Sequence, residues 1–421
     1  MPRSLPIPAQ ISDVACPFCG LLCDDLTLGN DGGSLKVLAN GCSLSKAGFE
    51  HPIEKSGARV GGKPASLAEA AAAAAKTLRE ARLPLISGLG TDVAGVRAAA
   101  SLADRTGAAL DHMNSPASIR NLLVLQDGGW IITTLSEVRN RADLLVTVGT
   151  DIASRYPRFF ERCIANRETL FAQDRSCEIV MLGAGAPKGI QLPSTPTVIP
   201  CDGSRIHEGL AVLRVLIAGG TVNAESAAGV PLSTWKALAD RLKAAKYGVM
   251  AWAAADFDFP HAELTIQTIA ELIKDLNRET RFNGMPLGGS DGDITTDMVL
   301  QWQSGFATRT GYGQGQADYD PYHLAGDRLL QRGEADALLW ISSLSPSRVP
   351  TTTTGKLVVV AHPSMKLERE PEVFIPVGTP GVDHPGHLFR SDRVVALSMS
   401  QVRESTLPSV AEVLTAIEAA L

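Results

Sequence analysis

The sequence predicts an α/β fold: a small N-terminal cysteine module followed by two doubly wound, Rossmann-like domains. Three observations carry this expectation. Short apolar runs recur along the 421 residues, each bounded by Gly or Pro, as strands buried on both faces of a parallel sheet should be. Ala-rich stretches of helical length lie between them. Four of the seven cysteines cluster ahead of the first such run, within the first 42 residues.

Composition bounds the possibilities. A chain that is 45% hydrophobic has material for two or three domain cores, and its 39 Gly and 25 Pro indicate a loop-rich globular protein, not a disordered one. A net charge of −6 argues against general nucleic-acid binding, which needs a basic face. No run of 18 apolar residues is present, so no transmembrane helix is expected and no membrane partner. The N-terminal residues Met1, Pro2, Arg3 and Ser4 lead into a Pro-containing stretch without the apolar core of a secretory signal. The expected location is therefore cytoplasmic, where disulfides are rare and clustered cysteines point to a metal.

The elements follow in order. Ser66 and Glu69 have capping-box spacing ahead of the Ala run 70–75, predicting a helix to about residue 82. A strand at 83–87 ends in Gly88, Leu89 and Gly90, and a second Ala-rich helix runs to about 105. Strands follow at 143–148, 178–182, 197–200, 247–252, 336–341 and 357–361, with helices at 206–218 and 261–276. One sheet rarely takes so many strands, so two α/β domains are expected. The boundaries read as 1–58 for the cysteine module, 59–140 with 301–421 for a discontinuous domain, and 141–300 for the second.

The clearest chemical signal is Cys16, Cys19, Cys23 and Cys42, spaced C-x2-C-x3-C-x18-C. Four thiolates around one centre suit a [4Fe–4S] cluster or a tetrahedral zinc ion. Gly20 and the pair Gly32 and Gly33 would supply the backbone freedom that such wrapping needs. Four buried hydrophobic thiols are the bland alternative, but they rarely show such regular spacing. The other cysteines, Cys163, Cys177 and Cys201, are isolated and read as packing residues.

These residues carry a resemblance. Residues 16–42 resemble the N-terminal cluster module of the molybdopterin and tungstopterin oxidoreductases, and 14–25 (VACPFCGLLCDD) are closer still to the B-type subunit of formylmethanofuran dehydrogenase. A second similar stretch runs from Leu125, Gln126 and Asp127 through 135–143 (LSEVRNRAD) into a strand and Gly turn at 144–151. A third runs from Gly381, Val382 and Asp383 to 389–392 (FRSD). The resemblance spans nearly the whole chain and implies a molybdopterin oxidoreductase-like fold.

The departure from the family is the informative part. In the redox members a cysteine or selenocysteine ligates the metal, about ten residues before the Leu-Gln-Asp. Aligned on Leu125, Gln126 and Asp127, that position is Ala117, within 114–120 (NSPASIR). A methyl group cannot ligate Mo or W. The neighbouring family histidine is replaced by Ser118, which would offer an oxygen only if the alignment slid by one residue.

The resemblance, with this loss, implies the non-redox structural subunit of a formyltransferase/hydrolase complex such as methylotrophic bacteria carry. That complex moves a formyl group from formyl-tetrahydromethanopterin to a methanofuran-like carrier and releases formate. The implied partners are amidohydrolase, formyltransferase and third subunits of the same complex, with the carrier nearby. No Mo or W pterin is expected. The four cysteines would hold a [4Fe–4S] cluster as a staple, or zinc, or form an empty relic. The alternatives are an active Mo- or W-pterin formylmethanofuran dehydrogenase subunit with a [4Fe–4S] cluster, and a stand-alone metal-binding module. Lys46 sits where relatives place a basic residue between cluster and pterin; a solvated lysine is the plain reading.

Other candidates are weaker. Asp383, His384 and His387 suggest a metal site, but Pro385 forces a turn and a surface loop is the better expectation. Gly88-Leu89-Gly90 and Gly183-Ala184-Gly185 could approach a phosphate, yet neither completes G-x-G-x-x-G. In the family such turns line the pterin dinucleotide; here they read as relics. Residues 282–289 read as a strand-to-loop bend and 351–354 as an exposed loop. Ser136 and the eight histidines give no triad, so no independent catalytic set is expected.

Overall fold

The computed structural model describes residues 7–52, 54, 56–165, 169, 176–185, 192–350 and 355–421. The expected loop at 351–354 and the reading of the first four residues lie outside these. The chain divides into two compact units, one formed by residues up to Ser115 with Gly289–Leu421, the other by Pro116–Gly288.

In the first unit nine strands form one mixed sheet. Its parallel centre runs Ala109–Leu110, Pro84–Gly90, Ala337–Ser342, Lys356–Ala361 and Val373–Pro376. Both faces are apolar, which explains the continuous runs in the sequence. Ile86, Leu339, Ile341, Val358, Val360, Val373 and Ile375 pack in one core with helices Leu67–Glu80, Val93–Thr106 and Val410–Ala419. Leu85, Leu338, Trp340, Leu357, Val359 and Phe374 point into the opposite core. Each such side chain, fully buried, contributes about 1.5–3 kcal/mol. The expected capping box is present: Ser66 Oγ accepts from the Glu69 N–H at 3.2 Å and Glu69 Oε2 accepts from the Ser66 N–H at 2.8 Å. Ser409 and Glu412 repeat it at the last helix.

Ahead of this sheet lies a three-stranded antiparallel meander, Gln10–Val14, Leu26–Asp31 and Ser34–Ala39, followed by helix Ser43–Phe49. Gly32 and Gly33 turn its hairpin with φ of 56° and 94°, values that favour glycine.

The second unit holds a five-stranded, fully parallel sheet in the order Thr197–Ile199, Glu178–Leu182, Leu144–Val148, Gly248–Ala253, Phe282–Leu287. The order reverses beside Leu144–Val148, as in a doubly wound sheet. Helices Ile206–Ile217, Leu232–Ala244 and Ala262–Leu276 bury Leu210, Trp235 and Ile269 against one face.

Two expectations are corrected and two are refined. The unit boundaries fall at 115/116 and 288/289, not at 140/141 and 300/301. Val124 belongs to the second unit's core, whereas Val299 and Leu300 belong to the first's. Residues 282–289 do run from strand to loop, but most of the segment is strand: Phe282–Leu287 is buried and paired along Gly248–Ala253, and the loop begins at 288. Pro286 is tolerated because the strand lies at the sheet edge. Gly88, Leu89 and Gly90 are not a terminal turn but part of strand Pro84–Gly90, where an irregular register inserts one residue opposite Trp340 and Ser342. A Cβ on Gly88 would meet the Ile341 carbonyl oxygen at 2.5 Å, so glycine serves strand pairing there. Finally, residues 383–387 are a surface turn only in part: Pro385 and His387 are exposed, whereas Asp383 is buried.

Candidate metal centre

The cysteine loop is built by the meander. Cys16, Cys19 and Cys23 lie between strands Gln10–Val14 and Leu26–Asp31, and Cys42 directly precedes helix Ser43–Phe49. The Cys16 N–H donates to the Cys23 carbonyl at 2.8 Å and closes the loop; the Leu22 N–H donates to the Cys19 carbonyl at 3.1 Å and tightens it. Phe18 fastens the loop to the helix, meeting Phe49 edge-on at 5.0 Å. Gly48 permits this, since a Cβ there would lie 2.3 Å from the Phe18 ring. Gly20 acts by close approach: a Cβ on Gly289 would lie 2.5 Å from its Cα, and its carbonyl accepts from the Ser391 N–H at 2.8 Å.

Three of the four thiols are buried and Cys42 is half-buried. Burial pushes the Cys19 thiol up to about 12, with Cys23 and Cys42 adding to it, while the Leu21 and Leu22 N–H groups donate to its sulfur. Cys16 is also pushed well above the usual thiol range, by burial first and then by Cys19, Cys23 and Cys42; the Phe18 N–H donates to it. Three buried sulfurs and the half-buried Cys42, with Cys16 and Cys19 receiving backbone N–H groups, are soft donors of the kind a metal takes by displacing their protons. Among the described residues no three His, Cys, Asp or Glu converge closely enough for a single metal ion. Lys46 is exposed on the helix surface, as a solvated lysine.

Ala117 lies in helix Ser115–Gly128, half-buried, its methyl packed against the second unit's apolar core. Ser118 beside it is half-buried. The helix is firmly anchored in that unit: Asn121 Oδ1 accepts from the Trp252 indole at 2.9 Å, and Arg120 Nη1 donates to the Ala254 carbonyl at 2.9 Å.

The chain leading to this helix is fixed by buried polar groups of the first unit. Asp111, pushed up to about 6 by burial, faces Arg309 at 3.7 Å and accepts from the Gly326 N–H at 2.7 Å. His112, lowered to about 3 by burial, is neutral. Its Nδ1 accepts from the Asn114 N–H at 2.9 Å, so Nε2 carries the proton and donates to the Asp291 carbonyl at 3.1 Å. Arg348 reaches both Asn114 and Asp291. The segment before residue 117 and the helix after it are thus held by buried hydrogen bonds; what position 117 lacks is a ligand atom.

The remaining candidates separate. Asp383 pairs with Arg403 at 2.8 Å and accepts from the Thr379 N–H at 2.9 Å, so it is a structural carboxylate; His387 is exposed on strand Gly386–Phe389. Gly183 has φ of 79° and ends strand Glu178–Leu182, with Ile206 2.8 Å from any Cβ there. Residues 186–191 beyond that turn lie outside the described residues. Cys163 and Cys177 are buried and Cys201 is half-buried, as packing residues. Sequence reasoning missed His362 and Arg403, both buried; nothing local in the sequence marks either.

Comparison with known proteins places these features. No family model matches the chain. It is 30% identical over 347 residues to the B-type subunit of the formyltransferase/hydrolase complex Fhc of Methylorubrum extorquens, covering 80% of this chain and 89% of that one. It is 26% identical over 400 residues to the B-type subunit of tungsten-containing formylmethanofuran dehydrogenase 2 of Methanocaldococcus jannaschii, covering 91% and 92%. The protein of the same name from Methanococcus maripaludis is 24% identical over 397 residues, with the same coverage. Among solved structures, the FhcABCD complex of Methylorubrum extorquens with methylofuran matches with a TM-score of 0.72 and 28% identity, over 86% of this chain and 98% of that chain. Acetylene hydratase from Pelobacter acetylenicus matches with a TM-score of 0.62 over 97% of this chain and 69% of that one, at 11% identity. It shows the shared molybdopterin oxidoreductase fold. The chain therefore belongs to the family of B-type subunits common to formylmethanofuran dehydrogenase and the formyltransferase/hydrolase complex.

Proposed function

We propose that this chain is the non-redox structural subunit of a formyltransferase/hydrolase complex. The complex would move a formyl group from formyl-tetrahydromethanopterin to a methanofuran-like carrier and release formate. The observation that carries this reading is Ala117. A half-buried methyl group packed against an apolar core offers no atom to a pterin-bound metal, although its helix is well anchored by hydrogen bonds. The 30% identity to the B-type subunit of the Fhc complex supports the same assignment. In this reading the chain scaffolds amidohydrolase, formyltransferase and third subunits, which do the chemistry.

Cys16, Cys19, Cys23 and Cys42 would hold a [4Fe–4S] cluster. It would cross-link the loop after Gln10–Val14 to helix Ser43–Phe49, because metal binding to a site absent from the unfolded chain stabilises the fold directly. No helix among the described residues is long and apolar enough to cross a membrane, consistent with such an assembly.

The test is the activity of the complex purified through this chain. Formate release from the formylated pterin should proceed, and formate-dependent reduction of a viologen dye should be absent. Dye reduction at a rate comparable to formate release would refute the reading and favour the active metal-pterin alternative.

A further inference from the structure

The first unit contains a cavity of about 1020 Å³ that no step above uses. It opens where strand Lys356–Ala361 ends at His362, and the C-terminal ends of parallel strands are where doubly wound sheets bind ligands. His362, Asp383, Gln401, Arg403, Ser405 and Thr406 line it.

Two of these groups present unmet donors. His362 is only 8% exposed. Its Nδ1 accepts from the Ser364 N–H at 3.2 Å, which leaves the ring proton on Nε2. Nε2 has no partner among the described residues, and His362 lines the cavity. Arg403 is 9% exposed; its Nε and Nη2 both reach Asp383 Oδ1 at 2.8 Å, while Nη1 has no partner among the described residues. Asp383 turns its second oxygen to the Thr379 N–H and holds the guanidinium in place with its first. Ser405 Oγ accepts from the Leu407 N–H at 3.2 Å, which frees its hydroxyl proton to donate. The glutamates that also line the cavity, Glu54 and Glu404, are solvent-exposed, where their charge is screened.

We propose that this cavity binds a small molecule carrying an oxyanion, a carboxylate or a phosphate, received by His362 Nε2 and Arg403 Nη1. Nearly buried donors without partners cost free energy, and an oxyanion satisfies them with charge-assisted hydrogen bonds. The packing keeps the imidazole in its neutral form: burial first, then His51, edge-on at 5.1 Å, and Arg403 lower His362 to about 4 against the opposing pull of Asp383.

Calorimetric titration of the full chain with inorganic phosphate and, separately, with succinate tests this. Saturable binding of at least one probe is expected at roughly millimolar concentration or below. Binding of phosphate alone identifies a phosphate ligand; binding of succinate alone identifies a carboxylate. His362→Ala and Arg403→Lys should each weaken it by about tenfold or more, the loss expected for a hydrogen bond to a charged group. Because Arg403→Lys disturbs a buried ion pair, His362→Ala decides if the lysine variant does not fold. No saturable binding of either probe to the wild type, or binding unchanged in His362→Ala, would overturn the proposal.

Discussion

Cys16→Ser combined with Cys19→Ser is expected to empty the metal centre. Iron in anaerobically purified protein should fall from about four atoms per chain to none, with loss of the broad absorbance near 400 nm. Serine keeps the size of the side chain but not the soft thiolate. Both positions are buried, so two hydroxyls would replace ligands in a pocket that offers little water. The loop would then rest on its backbone hydrogen bonds and on Phe18 against Phe49. Losing the cross-link should cost about 3 kcal/mol or more, roughly 6–12 °C in the melting of a unit this size. Cys201→Ser, at a half-buried cysteine remote in sequence, should leave the iron content unchanged. Iron retained in the double variant would remove the four cysteines from any metal role.

Trp252→Ala should produce the largest loss of stability in the second unit. Trp252 is fully buried in strand Gly248–Ala253, meets Trp130 edge-on at 6.1 Å, and faces Gly284, whose lack of a side chain leaves room for the indole. Its indole N–H is the buried partner of Asn121, on the helix that carries Ala117. Truncation opens a cavity worth about 3–5 kcal/mol and leaves the Asn121 carbonyl unpaired at about 1 kcal/mol more. Trp252→Phe keeps most of the volume and should lose only about 1–2 kcal/mol. Urea unfolding followed by circular dichroism measures both; equal losses would mean that the hydrogen bond, not the packing, holds the helix.

Much of this architecture is legible in the sequence because its signals are local. Strands buried on both faces leave unbroken apolar runs, so Lys356–Ala361 and Gly248–Ala253 are located to within a residue. The Ser66 and Glu69 pair announces its helix, and the same spacing at Ser409 and Glu412 carries equal information for the last one. The meander escapes the sequence reading although Leu26 and Leu28, and Leu35 and Val37, alternate with period two, because Gly and charged residues interrupt the runs. Phe282–Leu287 is hard to recognise because Gly284 and Pro286 read as breakers, and only the sheet order shows an edge position where Pro costs no ladder bond. The unit boundaries and the Asp383–Arg403 pair are invisible for a common reason. Each is set by which distant segments pack together, and a single sequence does not display those pairings. The cysteine spacing and Ala117 are legible because each depends on chemical identity at a position: sulfur present at four places, absent at one.

The most direct measurement is the molybdenum and tungsten content of the complex purified anaerobically through this chain, determined by plasma mass spectrometry alongside iron. With a methyl group at residue 117, neither heavy metal should approach one atom per chain, while iron is retained. One atom of either per chain would contradict the account.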